Sequence, residues 1–222
     1  MRHLFYLHGL ASSPRSSKAR YLAGRLAAHG LTLHCPDLNE PDFATLTTTR
    51  MLQQVAARLR RLPEAPVALI GSSLGAFVAL HLAERAAGEA PAHPVEKLVL
   101  LAPAFDFGRA GMPALGAAGL ARWRRDGWLE MQHHAYGAPR RVHYALYGDA
   151  GRYDSFAVRT TVPTLVCHGR RDEVVDPAMV EQFAAGRPHV RLVMLDDDHQ
   201  LGGSLERLWT ETAAFLGLGG PA

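Results

Sequence analysis

The sequence predicts an α/β fold in three layers: a minimal, mostly parallel six-stranded sheet with helices on both faces and a cap insertion. Three observations predict it. Short, near-continuous apolar runs recur along the chain, as strands buried on both faces require. Segments of helical period separate them, so successive strands run parallel through crossover helices of right-handed sense. One stretch, residues 103–160, breaks this rhythm and is far longer than one crossover needs. The 222 residues are 48% hydrophobic and 20% charged, a globular balance that excludes a disordered or collagen-like chain. By length, the expectation is a single domain over 1–222 with 103–160 as its cap or lid insertion.

The elements follow in order. HLFYL at 3–7 reads as a buried strand ending in His8-Gly9. A turn-rich stretch from Ser12 to Ser17 leads into a helix over 17–29, where Ala19, Leu22, Ala23, Leu26 and Ala27 share a face and Gly30 stops it. Leu31 to Cys35 is a second strand closed by Pro36-Asp37. Residues 43–62 are helical by pattern, with Leu46, Met51, Leu52, Val55, Leu59 and Leu62 mostly on one side. Val67 to Ile70 is a third strand, running through Gly71-Ser72-Ser73-Leu74-Gly75 into a helix that reaches about Ala87. Leu98 to Leu101, Val162 to Cys167 and Val190 to Leu195 complete the six, with helices around 177–185 and 204–216.

The interval 103–160 holds nine of the seventeen aromatic residues in about a quarter of the length. It reads as a cap over the strand ends, with Phe105, Phe107, Trp123 and Trp128 as walls of a substrate pocket. A helical pair packed on the sheet edge is the alternative.

Several function classes drop out. No apolar run approaches the ~20 residues that cross a bilayer, and the first apolar stretch is too short for a secretory leader. Cys35 and Cys167 make neither a disulfide scaffold nor a metal spacing. The expectation is a cytoplasmic protein without a metal. The net charge is +3, carried almost wholly by arginine, with Lys18 and Lys97 the two lysines. The arginines are scattered and form no basic stripe on a recognisable module, which argues against a nucleic-acid partner.

Gly71-x-Ser73-x-Gly75 carries the strongest chemical signal. A serine hydroxyl becomes a nucleophile only when it is exposed and a base takes its proton. A sharp strand-to-helix turn exposes it, and such a turn demands small neighbours two residues away, which Gly71 and Gly75 are. Ser72 is the neighbouring alternative but lacks glycines at both offsets. The base and its orienting acid are expected on later strand ends. The fifth strand leads to Asp172 and the sixth to His199, both toward the carboxyl edge of the sheet where ligands collect. His199 is the candidate general base and Asp172 its orienting carboxylate, with Asp176 and Asp106 as alternatives. His8 and His168 each precede a glycine and read as turn residues. For the tetrahedral anion of acyl transfer, the backbone N–H groups of Leu74 and Leu10 are the candidate donors.

These residues resemble a known superfamily. Tyr6-Leu-His-Gly-Leu-Ala-Ser-Ser-Pro-Arg-Ser-Ser-Lys18-Ala19, Ile70-Gly-Ser-Ser-Leu-Gly75, His168-Gly-Arg-Arg-Asp-Glu-Val-Val175 and His199 are similar to the α/β hydrolases, most of all to small bacterial YqiA/YcfP-type esterases. The likeness spans Tyr6 to about Leu216. It implies ester or thioester hydrolysis by Ser73, Asp172 and His199 without a cofactor, acting on a small-molecule substrate. Two departures are Ala76, where the subfamily often has a second glycine, and Leu10, where it often has phenylalanine. An acyl thioesterase with the same three residues and a non-catalytic hydrolase-fold binding protein stay open as alternatives. Ser12 to Lys18 invites an anion-site reading, but a serine capping the first helix explains the cluster more simply.

Overall fold

The computed structural model describes residues 2–87, 92–105, 107–109 and 112–219. The chain runs β1 (His3–Leu7), α1 (Ser17–Ala27), β2 (Leu33–His34), α2 (Thr48–Leu59), β3 (Val67–Ser72), α3 (Leu74–Ala87), β4 (Val95–Leu101) and α4 (Gly116–Asp126). It continues through β5 (Trp128–His133), β6 (Ala138–His143), α5 (Ala145–Ala150), β7 (Thr164–Gly169), α6 (Pro177–Ala184), β8 (Val190–Leu195) and α7 (Leu205–Leu216). Six strands form one sheet in the order β2-β1-β3-β4-β7-β8, and every pairing in it is parallel.

Strand period divides the core into two faces. Phe5, Leu7, Leu69, Leu98, Leu100 and Val166 point toward α2, α3 and α6, where Leu52, Val55, Phe77 and Phe183 meet them. Tyr6, Ile70, Val99, Leu101, Leu165 and Cys167 point the other way, against Leu22 of α1 and Leu208 of α7. β3 and β7 are buried along their whole length, which is why their sequences show apolar runs without alternation.

Four details differ from the sequence reading. The second strand shrinks to Leu33–His34, at the sheet edge, where it pairs with Leu4 and Phe5 of β1. The expected 43–62 helix breaks at Leu46, whose backbone is extended. Thr47 then caps α2 by accepting the Arg50 N–H, so a polar cap outweighs the continuing apolar period. The fifth strand starts later and extends through Gly169, which puts His168 inside the sheet rather than in a turn. Finally, the inserted segment contains an antiparallel hairpin, β5–β6, that the sequence reading did not contain.

That segment has its own packing. Trp123 is 1% exposed, donates from Nε1 to the Val142 carbonyl at 3.1 Å, and stands edge-on to Tyr144. Thr49 of α2 binds Asp149 through both N–H and hydroxyl, at 2.7 and 2.8 Å, tying α5 to the main body. The hairpin tip reaches the loop after β1, where His134 N–H donates to the Ala11 carbonyl at 3.0 Å.

Candidate active site

Ser73 sits between the end of β3 and the start of α3 with φ +53°, a left-handed conformation that a non-glycine residue adopts only under constraint. The constraint is visible in the bonds around it. Its N–H donates to the Leu101 carbonyl at 2.9 Å, and its own carbonyl accepts from Ala76, Phe77 and Ala104. The flanking glycines answer to close approach. A Cβ on Gly71 would lie 2.5 Å from the Ala76 Cα, and one on Gly75 would run into the Leu7 carbonyl of β1. The turn is therefore compressed against both its own helix and the neighbouring strand, and the hydroxyl is left at the carboxyl edge of the sheet.

The structure brings the three predicted polar residues into one hydrogen-bonded line. His199 Nε2 lies 3.0 Å from Ser73 Oγ, and His199 Nδ1 lies 2.8 Å from Asp172 Oδ2. The Asp172 side chain is fully buried and that of His199 is 13% exposed. Burial alone would raise the carboxyl pKa. The His199 contact and the N–H groups of Val175 and Val174 outweigh it and hold Asp172 below its ordinary value. An ionised Asp172 is acceptor-only, so Nδ1 carries the proton in the neutral imidazole and Nε2 is free to accept from Ser73. Oδ1 receives the Val174 and Val175 N–H groups at 2.8 and 2.9 Å, which fixes the plane of the carboxylate.

Two loops hold this line. The β8–α7 loop carrying His199 lies directly against the end of β7. A Cβ on Gly169 would be 2.5 Å from the carbonyl oxygens of both Asp197 and Asp198. Arg171 N–H donates to the Asp197 carbonyl at 3.0 Å. The loop after β1 lies against Ser73 itself, since a Cβ on Gly9 would be 3.2 Å from the Ser73 Cβ. Among the described residues, the N–H groups of Leu10 and Leu74 have no backbone acceptor. Leu74 is the first residue of α3, so its N–H belongs to the unpaired donors of a helix start.

The remaining sequence candidates are placed as follows. Asp176 accepts the Ala178 N–H and caps α6, so it has another task. Asp106 lies outside the described residues. Phe105 is 2% exposed and stacks on Phe183 at 3.9 Å between centroids. Phe107 packs edge-on to Phe77 and Tyr147. Trp123 is buried as described, and Trp128 is 39% exposed under the Arg141 guanidinium. Of the four aromatics that the sequence suggests as pocket walls, Phe105, Phe107 and Trp123 are thus buried among packing contacts and Trp128 is exposed. Ser16 caps α1 through the Ala19 N–H, as the capping explanation expects. Among the described residues, no cluster of three or more His, Cys, Asp or Glu is arranged to hold a metal ion, and no helix is long and apolar enough to cross a membrane.

Sequence reasoning gave no structural role at the site to three polar groups that lie near it. His8 lies just past the end of β1, as its reading as a turn residue expects, and is 2% exposed. Its Nδ1 meets the Gly9 carbonyl at 2.9 Å, and its Nε2 accepts the Leu38 N–H at 3.0 Å. His168 is fully buried, 3.4 Å from Asp172 Oδ2 and 3.2 Å from the Val175 carbonyl. Lys18 is 7% exposed and turned inward, its Nζ donating to the Gln200 carbonyl at 2.5 Å. A signal for Lys18 was present: it stands four residues before Leu22, on the apolar face of α1.

Comparison with known proteins places the chain. The family model described as Uncharacterised protein family (UPF0227) matches residues 3–216. The chain belongs to the UPF0227 family. No curated protein sequence matches it significantly. Among solved structures, this UPF0227 chain is similar to a provisionally assigned hydrolase of Agrobacterium vitis S4, with 23% identity and a TM-score of 0.79 over 96% of this chain and 87% of that one. It is also similar to mouse alpha/beta hydrolase domain-containing protein 10, with 20% identity and a TM-score of 0.77 over 97% and 89%. Est1E of Butyrivibrio proteoclasticus, solved with ferulic acid, shares 17% identity and a TM-score of 0.75 over 97% and 88%. At these identities the likeness is one of fold. The UPF0227 chain has the three-layer α/β-hydrolase fold, as the sequence predicted.

Proposed function

We propose that this UPF0227 protein is a serine-dependent hydrolase of carboxylic esters that works through an acyl-enzyme. One observation carries the reading: Ser73, held at positive φ on a strand-to-helix turn, is in line with His199 and a buried, ionised Asp172. Ser73 Oγ attacks the acyl carbonyl while His199 Nε2 takes its proton. Asp172 keeps the Nδ1–H tautomer and stabilises the imidazolium that forms. The N–H groups of Leu10 and Leu74 receive the negative oxygen of the tetrahedral intermediate, each donor being worth on the order of 3 kcal/mol. The imidazolium then protonates the leaving alkoxide. In the second half, His199 takes a proton from water as its oxygen attacks the acyl carbon; the bond to Ser73 Oγ then breaks, and the imidazolium returns the proton to Oγ, releasing the acid and free Ser73.

Residues 103–160 serve in this reading as a cap on the site. The support is the His134 N–H bond to Ala11, which ties the hairpin tip to the loop that carries Leu10.

The test uses p-nitrophenyl esters of increasing chain length and a fluorophosphonate probe. Wild type is expected to hydrolyse the esters and take the label, while Ser73→Ala does neither. Undiminished turnover in folded Ser73→Ala, or a folded wild type inert to both reagents, overturns the assignment.

A further inference from the structure

We propose that Lys18 is a positioning residue: its buried ammonium pins the Gln200 carbonyl, and so holds the loop that presents His199 to Ser73 and Asp172. The inference rests on the reading of those three residues given above.

The two sides of His199 are held differently. Before it, Asp197 and Asp198 are pressed on Gly169, and Arg171 N–H bonds the Asp197 carbonyl, so this half is fastened to β7. After it, the backbone is strained. Leu201 has φ +54° with its side chain fully buried, a conformation that costs of order 1–3 kcal/mol and persists only when its surroundings enforce it. Bonds within the loop exist, from Gln200 N–H to Asp198 Oδ1 at 2.8 Å and from Leu201 N–H to the Asp198 carbonyl at 3.2 Å. Among the described residues, Lys18 alone ties the backbone of 200–203 to another element by a hydrogen bond. The bonded carbonyl lies between His199 and the strained Leu201. α1 packs beside α7, which brings the first turn of α1 under this loop.

Packing does not call for a lysine here. A buried ammonium loses several kcal/mol of hydration, and an apolar side chain of similar volume is commonly tolerated as well or better. Burial lowers the Lys18 pKa to about 8, although Asp197, Asp198 and Asp172 all favour its charge. The amine therefore remains mostly protonated at neutral pH, and its bond to Gln200 is charge-assisted, about twice as strong as a neutral one. Asp197 Oδ2 is buried and has no hydrogen-bond partner among the described residues, so the cation also offsets a carboxylate that is otherwise poorly compensated. Within the Ser12 to Lys18 cluster, the Lys18 Nζ is turned to the Gln200 carbonyl.

Positioning predicts a fall in turnover rather than in binding, since a misplaced base slows proton transfer without touching the acyl group; displacement by about 1 Å can cost 100-fold. The experiment compares wild type, Lys18→Met, Lys18→Gln and Ser73→Ala by kcat, KM, thermal midpoint and fluorophosphonate labelling rate. Lys18→Met is expected to lose ten- to a hundredfold in kcat and in labelling rate, with KM within twofold and the folded state retained. Lys18→Gln, whose shorter amide does not reach the carbonyl, is expected to behave alike, and it decides the matter if the methionine variant does not fold. Wild-type kcat in either folded variant overturns the inference, and so does a loss confined to KM. Activity persisting in Ser73→Ala overturns the underlying reading instead, so the two failures are told apart.

Discussion

Replacing Asp172 by asparagine isolates the role of the buried carboxylate, because the structure dictates how the amide must sit. Oδ1 accepts two backbone N–H groups, from Val174 and Val175. An amide nitrogen there would face both donors and leave them unpaired, at roughly 1–3 kcal/mol each. The asparagine oxygen therefore takes the Oδ1 place, and its NH2 takes the place of Oδ2, 2.8 Å from His199 Nδ1. That nitrogen must now accept, so the neutral imidazole carries its proton on Nε2. The contact at 3.0 Å reverses: Nε2–H donates to Ser73 Oγ and cannot take its proton. A triad locked in this tautomer loses about 10,000-fold in kcat, roughly 5 kcal/mol of transition-state stabilisation. The assay is initial-rate hydrolysis of p-nitrophenyl acetate by Asp172→Asn, with circular dichroism to establish folding. Asp176→Asn is the control: asparagine caps α6 as well as aspartate does, so activity is expected within twofold of wild type. A folded Asp172→Asn enzyme retaining more than a tenth of wild-type kcat would refute the tautomer reasoning.

Three further outcomes follow from packing and charge. In Gly169→Ala the new methyl collides with the carbonyls of Asp197 and Asp198, so the His199 loop must move; kcat on the same ester is expected to fall by about 10- to 100-fold, and an unchanged rate counts against a tight loop. Trp123→Ala empties the centre of the inserted segment and removes the donor to Val142; a loss of about 3–5 kcal/mol, on the order of 10 °C in thermal midpoint, is expected in calorimetry. Burial lowers the His81 pKa to about 4 from an ordinary value of 6.5, so the unfolded chain binds the proton first as pH falls. Its contribution is complete above pH 6.5 and is lost between there and pH 4, roughly 3 kcal/mol in all. Urea unfolding across that range should show a slope that His81→Phe makes shallower, since burial also lowers the pKa of His168 and His133; an equal slope in the variant would assign it to those groups.

The parts of this fold legible in sequence are those where backbone geometry restricts residue type. Strands buried on both faces admit only apolar runs, which is why β3 and β7 stand out. The turn at Ser73 admits only glycine at positions 71 and 75, because any Cβ there meets backbone. His199 and Asp172 could be found because parallel topology sends both strand ends to one edge. The hairpin β5–β6 was hidden for the converse reason. Its second strand, APRRVH, is mostly exposed and shows no apolar alternation, although Gly137 at φ +65° marks the turn. What orders it is tertiary: the pairing with β5 and the bond from His134 to Ala11. The groups that hold the site in place share that invisibility. Lys18 binds the carbonyl of Gln200, His8 meets the carbonyl of Gly9 and the N–H of Leu38, and His168 meets the carbonyl of Val175. A main-chain carbonyl is the same at every position, so no residue type on the receiving side signals the contact. What sequence does expose is the donor, when it stands where its element should be apolar. A lysine four residues before Leu22 on the buried face of α1 is such a mismatch, and the loop beside His199 is where it is resolved.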